Sequence, residues 1–511
     1  MLVEGYTTFS CQDVKWLLRE DIPTPVKEKV ISDLSTSTFF EQNTPIKKGT
    51  RKSIWLFTLS GGATYLIKRY ETRHFLAYIK NLIVASKAAR ELKAATTIAQ
   101  KGVSTIVPVA MGEKGWRGLV KEGYVIFKLL EKCQDLNYYF LKECPAEKSE
   151  QNFAERRMII KELGTLARKV HEEGILQSDF ALNNFLLTKD KAGGVKIYLS
   201  DLEKITIQRS LSFSQKARCL AKLNRVGREI SATNRLRFLQ SYCAGDDNRQ
   251  RVLSLAKTIQ KLTINLLKRD AERGRITSVY TDALYDKYEQ ADIGGYYRKG
   301  YKIEEILNTI QKFDLLAKSL PSSDMKQREE ITMELSCEDI LQPLKVIRHL
   351  NHTNNISART LWIKMSTLYM AGIPLDIPHV FMEMKVKDNR EGYLFIPRQE
   401  NGITLEAFFK PSLDKKELSF MIELLLKLIK KLHNLGTFSG RISEDDFTVL
   451  EKEGSRPSLY INNTERFDIK KEVSLNEKKR ELAVINALLK KHYPMMTFDL
   501  TQRYFKEPKT S

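Results

Sequence analysis

The run His171-Glu-Glu-Gly174-Ile-Leu-Gln177-Ser-Asp179-Phe-Ala-Leu-Asn-Asn184-Phe-Leu-Leu187, followed by Lys196-Ile-Tyr-Leu199-Ser-Asp201-Leu-Glu203-Lys204, decides the reading of this 511-residue chain. Two apolar runs fix polar residues between them. A helix ending near His171 and Gly174 feeds a loop carrying Asp179 and Asn184, and the alternation of Lys196, Ile197, Tyr198 and Leu199 predicts a short strand that presents Asp201. This is the arrangement a phosphotransferase requires.

Phosphoryl transfer leaves a protein little covalent work, so it calls for a carboxylate facing the incoming hydroxyl and oxygen ligands for magnesium beside the phosphates. Asp179 takes the first role, as catalytic base, and Asn184 with Asp201 the second. Magnesium is a hard ion that accepts carboxylate and amide oxygens and keeps several waters, so these ligands and ATP oxygens suffice. ATP and magnesium are therefore the expected cofactors, with no His or Cys cluster needed.

Upstream, Ser53 to Leu59 and Ala63 to Tyr70 read as antiparallel strands turned by Ser60, Gly61 and Gly62, with Lys68 near the end of the second. A lysine there reaches the ATP phosphates when a helical glutamate holds it, and a helix over Ala85 to Lys101 supplies Glu91. Lys68 alone reads as an ordinary strand lysine, but Lys68, Glu91, Asp179, Asn184 and Asp201 follow one another in kinase order. Further strands are expected over Val103 to Met111 and Gly123 to Leu130, with a hinge at Glu131 to Cys133. Asn152 to His171 is an amphipathic helix burying Ile159, Ile160, Leu163, Leu166, Ala167 and Val170. No glycine-rich phosphate loop precedes Lys68. In its place stand Lys47, Lys48, Gly49, Arg51 and Lys52, a charge run of a kind usually solvated that can supply cations over the phosphates.

Gly174 to Leu187 followed by Leu199 to Lys204 resembles the bacterial lipopolysaccharide kinase family, the heptose and Kdo kinases of the inner core. That resemblance implies a protein-kinase-like fold, use of ATP and magnesium, and phosphorylation of a sugar hydroxyl on the lipid-linked core at the cytoplasmic membrane face. Gln215 to Arg225 and Thr233 to Tyr242 are similar to the helical tail of the family, so the resemblance covers roughly residues 45 to 265. One departure is Gln177, where kinases commonly carry His, and the hydrogen bonds that position the loop must differ accordingly. Acceptor residues are not assigned.

The pattern recurs in the carboxy-terminal half, where Leu432 to Leu450 and Ser458 to Phe467 align with Val170 to Thr188 and Lys196 to Ile205. His433 minus His171, Gly436 minus Gly174 and Asn463 minus Asp201 all equal 262. In that register Arg441 replaces Asp179, Asp446 replaces Asn184 and Asn463 replaces Asp201. Gapped pairings set Arg348 opposite Lys68 and Thr360 opposite Glu91. Guanidinium cannot accept a proton near neutral pH, so the second copy reads as a pseudokinase that docks, binds acceptor, regulates or stabilises. The expected fold is α+β, a duplicated protein-kinase-like bilobal fold with a helical segment between the copies. Its divisions are an amino-terminal extension (1–44), an active domain (45–210), a helical tail and linker (211–325, with Ser319 to Asp324 as linker), a degenerate domain (326–500) and a tail (501–511). Within the linker region Tyr280, Tyr285, Tyr288, Tyr296 and Tyr297 offer either a sugar-binding face or a packed interface.

Composition bounds the setting. With 42% hydrophobic and 29% charged residues the chain reads as soluble and globular, and no apolar run of membrane-spanning length interrupts it. Early charges at Glu4, Asp13 and Lys15 argue against a secretory signal. Six cysteines without a CxxC pair suit reduced thiols. The formal charge of +21 reads either as a match for an acidic partner or as a uniformly basic solvated surface. Without aromatic stacking runs, nucleic acid ranks below lipid or polysaccharide. The expected enzyme is a cytoplasmic ATP-dependent phosphotransferase, peripheral on the anionic inner membrane face, acting on lipopolysaccharide core or another glycan acceptor. The alternatives are a protein kinase, another small-molecule phosphotransferase of the same fold, or a non-catalytic envelope scaffold.

Overall fold

In the computed structural model of the chain, described residues are 3–49, 52–59, 61–72, 84–116, 119–143, 150–190, 193–244, 249–274, 284–319, 330–338, 340–350, 357–386, 389–397, 402–409, 414–451 and 457–505. Arg51, Ser60, Cys144, Tyr280, most of the Ser319–Asp324 linker and the tail from Lys506 lie outside them. The chain forms two compact units, residues 1–223 with 230–259, and residues 224–229 with 260–511. Each combines helices with antiparallel sheet, as the α+β expectation requires.

In the first unit, strands β1 (Tyr6–Cys11), β2 (Val14–Arg19), β3 (Lys47–Lys48), β4 (Lys52–Thr58), β5 (Thr64–Glu71), β6 (Ala110–Trp116) and β7 (Leu119–Lys128) form one antiparallel sheet in the order β1-β2-β6-β7-β5-β4-β3. The stretch read as an extension thus supplies two strands. Trp16 on β2 is fully buried, stacks on Tyr124 of β7, and makes the hairpin part of the core. The strand expected over Val103 to Met111 starts only at Ala110. Pro108 has no N–H to give a ladder, and the preceding stretch instead makes a single parallel bridge from Thr105 to Leu199. The Lys87–Gln100 helix is capped by the Ser86 side chain and packs on β7, where Gly123 admits Ala88: a Cβ on Gly123 would lie 2.9 Å from that of Ala88.

Below this sheet the Glu150–Glu172 helix buries the apolar face read from its sequence. It leads into β9 (Ile175–Gln177), a 3-10 turn at Leu182–Asn184, and β10 (Phe185–Lys189) paired with β11 (Val195–Leu199) and with β8 (Gln134–Asp135). A second 3-10 turn at Leu202–Lys204 precedes β12 (Ile205–Ile207), which returns to pair with β9. Helices Phe213–Leu223 and Ala232–Tyr242 follow. A 3-10 turn at Gly227–Glu229 stands between them in the chain, with Gly227 at φ +61°.

In the second unit, β13 (Tyr285–Gln290), β14 (Ile293–Arg298), β15 (Glu330–Cys337), β16 (Ile340–Leu350), β17 (Val380–Val386) and β18 (Asn389–Pro397) form a sheet in the order β13-β14-β17-β18-β16-β15. The tyrosine-rich segment is therefore a hairpin within the sheet rather than part of a helical linker. Tyr285 is buried and donates to the Pro378 carbonyl, and Tyr296 stacks on Trp362 with ring centroids 4.9 Å apart. These two rings are packing elements, not a sugar-binding face. The Lys415–Asn434 helix, capped by Asp414, leads into a short strand Thr437–Phe438, a 3-10 turn at Glu444–Asp446, and paired strands Phe447–Leu450 and Ser458–Ile461. A turn at Thr464–Arg466 and the short strand Asp468–Ile469, paired with Thr437–Phe438, complete the run. Among the described residues no helix is long and apolar enough to cross a membrane, and the five described cysteines are free thiols.

Candidate active site

Strand β5 runs through the first sheet with alternate residues on one face, and that face brings Lys68 and Tyr70 to the helix that carries Glu91. Lys68 Nζ lies 2.6 Å from Glu91 Oε1 and 3.3 Å from Asp201 Oδ1, while Tyr70 donates to Glu91 Oε2 at 2.6 Å. Glu91 is fully buried. A buried carboxylate needs its charge and both oxygens satisfied, and Lys68 with Tyr70 does this. Lys68 also sits over the Phe127 ring, 5.0 Å from its centroid. Burial by itself disfavours the Lys68 ammonium, but the charges of Glu91 and then Asp201 outweigh it and hold its pKa above the usual lysine range.

Asp201 occupies the left-handed region at φ +52° and ψ +65°, a conformation uncommon for a residue with a Cβ and tolerated best by Asn and Asp. Its Oδ1 receives Lys52 Nζ at 3.0 Å as well as Lys68. Burial pushes its carboxyl up, yet the Lys68 and Lys52 charges prevail and hold it below the usual aspartate range. Lys52 Nζ also lies 3.7 Å from Glu203 Oε2, a buried atom that makes no hydrogen bond among the described residues.

The loop bearing Asp179 is tied to this cluster through backbone groups. The Asn184 side chain is buried and donates to the Asp179 carbonyl at 2.6 Å, and Ser200 N–H donates to the Asn184 carbonyl at 2.9 Å. Gln177 answers the question its position raised: its Nε2 donates to the carbonyls of Ser200 at 2.9 Å and Asp201 at 3.2 Å, pinning the two loops together. The Asp179 side chain is exposed. His171, buried, meets the Tyr242 hydroxyl at 2.8 Å, and burial with the nearby Lys216 charge lowers its pKa to about 3, so it is neutral at pH 7.

All five residues singled out from the sequence thus fall in two adjoining groups: Lys68, Glu91 and Asp201 in direct contact, and Asp179 with Asn184 joined to them by Ser200 and Gln177. Tyr70 and Glu203 were not assigned roles from the sequence. Tyr70 was detectable, since it lies two residues past Lys68 on the same strand face. Lys52 was visible only as one member of a charge run, and its place against Asp201 depends on the β4–β5 pairing.

Residues 59–242 match the lipopolysaccharide kinase (Kdo/WaaP) family. This segment is a kinase-type enzyme domain. Lipopolysaccharide core heptose(I) kinase WaaP of Escherichia coli is 27% identical over 192 residues, 36% of this chain and 71% of the relative. The same enzyme from strain K12 is 27% identical over 202 residues, 38% of this chain and 74% of the relative. A solved structure described as WaaP in complex with acyl carrier protein aligns at 17% identity and a TM-score of 0.36, covering 48% of this chain and 98% of that one.

The second unit repeats many of these local contacts 262 residues on. His433 meets Tyr504 as His171 meets Tyr242, Lys470 N–H donates to the Gly436 carbonyl as Gln208 does to Gly174, and Asn462 N–H donates to Asp446 as Ser200 does to Asn184. Outside that register, at an offset of 269 for the glycine (392 − 123) and 270 for the alanine (358 − 88), Gly392 admits Ala358 as Gly123 admits Ala88. In the sheets Gly123 faces Tyr70 and Gly392 faces His349, so two residues earlier Lys68 is matched by Ile347. Arg348, set opposite Lys68 in the gapped reading, is matched by Arg69 instead. Three residues past Ala358, Leu361 takes the position of Glu91, one residue on from Thr360.

Proposed function

We propose that this protein is an ATP- and magnesium-dependent kinase that phosphorylates a sugar hydroxyl, heptose or Kdo, of the lipopolysaccharide inner core. The single observation carrying the reading is the Lys68–Glu91–Asp201 cluster joined to the Asp179 and Asn184 loop, within the segment that matches the family. Lys68, held by Glu91, binds the ATP phosphates. Asp179 is exposed at the loop, where it accepts the proton of the incoming hydroxyl. Asn184 and Asp201 would hold the metal; their amide and carboxylate oxygens suit a hard cation, and the buried Glu203 Oε2, which shares Lys52 with Asp201, offers another oxygen. Bound there, magnesium would supply charge neutralisation on the phosphates. Lys52, drawn from Asp201 toward the phosphates, supplies a cation where a glycine-rich loop is missing.

The second unit is, in this reading, a degenerate duplicate. The ion pair Lys68–Glu91 is matched there by the apolar pair Ile347 and Leu361, the base by Arg441 and a metal ligand by Asn463, so the packing persists without the chemistry. The basic chain, with 84 lysines and arginines against 63 acids, suits a peripheral enzyme on an anionic membrane.

The test is transfer of label from ATP to core-truncated lipopolysaccharide with magnesium. Asp179→Ala is expected to lose about 10² to 10⁴ in rate while Asn463→Ala retains it. Equal transfer by wild type and Asp179→Ala, or none by folded, ATP-binding wild type, removes the assignment.

A further inference from the structure

The second unit holds a cavity of about 560 Å³ lined by Phe438, Gly440, Arg441, Arg466, Asp468 and Lys470. Its size lies in the range of about 300–1,000 Å³ typical of small-molecule sites. At the positions 262 residues earlier, Asp179, Lys204, Thr206 and Gln208 carry one acid and one base, whereas Arg441, Arg466, Asp468 and Lys470 carry three bases and one acid. The formal charge of this corner is thus +2 rather than zero.

Its cations are differently committed. Arg466 donates to Ser443 Oγ at 2.8 Å and lies 3.3 Å from Asp446. Lys470 bonds Glu477 at 2.8 Å and sits over the Phe438 ring at 5.1 Å. Arg441 is exposed to the cavity, and among the described residues its guanidinium makes no hydrogen bond or ion pair, leaving a planar fork of donors that matches an oxyanion bidentately. Asp468 on the same wall is an acceptor, which a bare anion does not call for and a hydroxyl does. Gly440 also lines the cavity, and a Cβ there would meet the Phe438 ring in ordinary contact at 3.5 Å.

We propose that this cavity binds a sugar phosphate monoester, with the phosphate on Arg441 and flanked by Arg466 and Lys470, and a sugar hydroxyl on Asp468. The site belongs to the second unit alone and stands whether or not the first unit transfers phosphate to lipopolysaccharide. The test is calorimetric titration of the full-length protein, at low salt, with glucose 6-phosphate, inorganic phosphate and glucose. Saturable binding of glucose 6-phosphate is expected, weakened at least tenfold by Arg441→Ala and less by Arg441→Lys, unchanged in Lys52→Ala, and tighter than for inorganic phosphate or glucose. Asp468→Asn, which keeps shape and removes charge, is expected to narrow the preference over inorganic phosphate. The proposal is overturned by no saturable binding, by binding that Arg441→Ala leaves unaltered with an unchanged melting temperature, by loss in Lys52→Ala instead, or by inorganic phosphate binding as tightly as the sugar ester.

Discussion

At the scale of single residues the candidate centre is an electrostatic compromise. Asp201 is drawn out of water among Lys68 and Lys52, and its carboxyl stays ionised because two ammoniums outweigh the cost of burial. Its folded pKa is depressed, so its stabilising contribution is present above the unfolded aspartate value of about 3.9 and is lost as pH falls through the lower folded value. Lys68 is shifted upward, so its contribution is complete below the unfolded lysine value of about 10.4 and is lost only as pH rises through the higher folded value. The stability difference between wild type and Lys52→Ala is therefore expected to hold constant from about pH 5 to pH 9 and to shrink below about pH 4. Thermal unfolding of both proteins across that range checks it; a difference that changes between pH 5 and 9 is the contrary result. The residue types of this cluster were legible from order alone, because a lysine, a helical glutamate and a loop aspartate in that succession have one common use. The Tyr70 bond to Glu91 was not, because a tyrosine on a half-buried strand face is ordinary until its neighbour is known.

At the scale of elements, both loops depend on a glycine that reverses the chain after a long helix. Gly174 has φ +71°, and a Cβ there would stand 1.8 Å from the Gln208 carbonyl oxygen, the oxygen of the strand end that returns beside it. Gly174→Ala is expected to cost at least about 1–3 kcal/mol from the backbone conformation, with the clash in addition, and to abolish turnover by displacing β9 and Gln177. Gly61→Ala, which meets nothing within 4 Å, is the comparison and is expected to stay within about 0.5 kcal/mol of wild type. Denaturant unfolding and turnover of the two variants decide it; equal stability means that the loop has room to shift. Strands and helices around this turn were readable because apolar spacing fixes period, and the Glu150–Glu172 helix buried the face its sequence announced. Elements that failed did so where local signals yield to pairing. Val103 to Val109 is apolar enough for a strand, but Pro108 and the lone bridge to Leu199 keep it out of the ladder. Tyr285 to Arg298 lies among helices in the sequence, and only the partner strand β17 makes it a hairpin of the sheet.

At the scale of the whole molecule, each unit is built around an antiparallel sheet and a long amphipathic helix, and the helix-to-helix stretch 171–242 has a counterpart at 433–504 that keeps hydrogen bonds while exchanging charges. Cys219 approaches the Gln177 carbonyl at 3.6 Å in the first unit. At the matching place in the second, Glu481 accepts from Ser439 N–H at 2.9 Å and pairs with His433, two charged contacts where the first unit has one thiol contact. The net charge of +21 predicts association with membranes through charge rather than through a spanning helix. Cosedimentation with vesicles containing phosphatidylserine is expected to be strong at about 0.05 M salt and lost by about 0.5 M, where the screening length has fallen to a few ångströms. Association with neutral vesicles of equal strength contradicts the electrostatic reading.

The amino-acid order by itself determined which residue types stand where a proton acceptor, metal ligands and a phosphate-binding lysine are proposed, and that other types stand 262 residues on. Those properties follow from residue type and spacing along one loop, which are local. Tertiary structure alone decided which cations face which carboxylates, that the first residues belong to a sheet, that Ile347 rather than Arg348 stands at the place of Lys68, and that Arg441 opens onto a cavity. Each of these depends on strand register and on packing between segments far apart in the chain, where a shift of one residue turns a side chain to the opposite face.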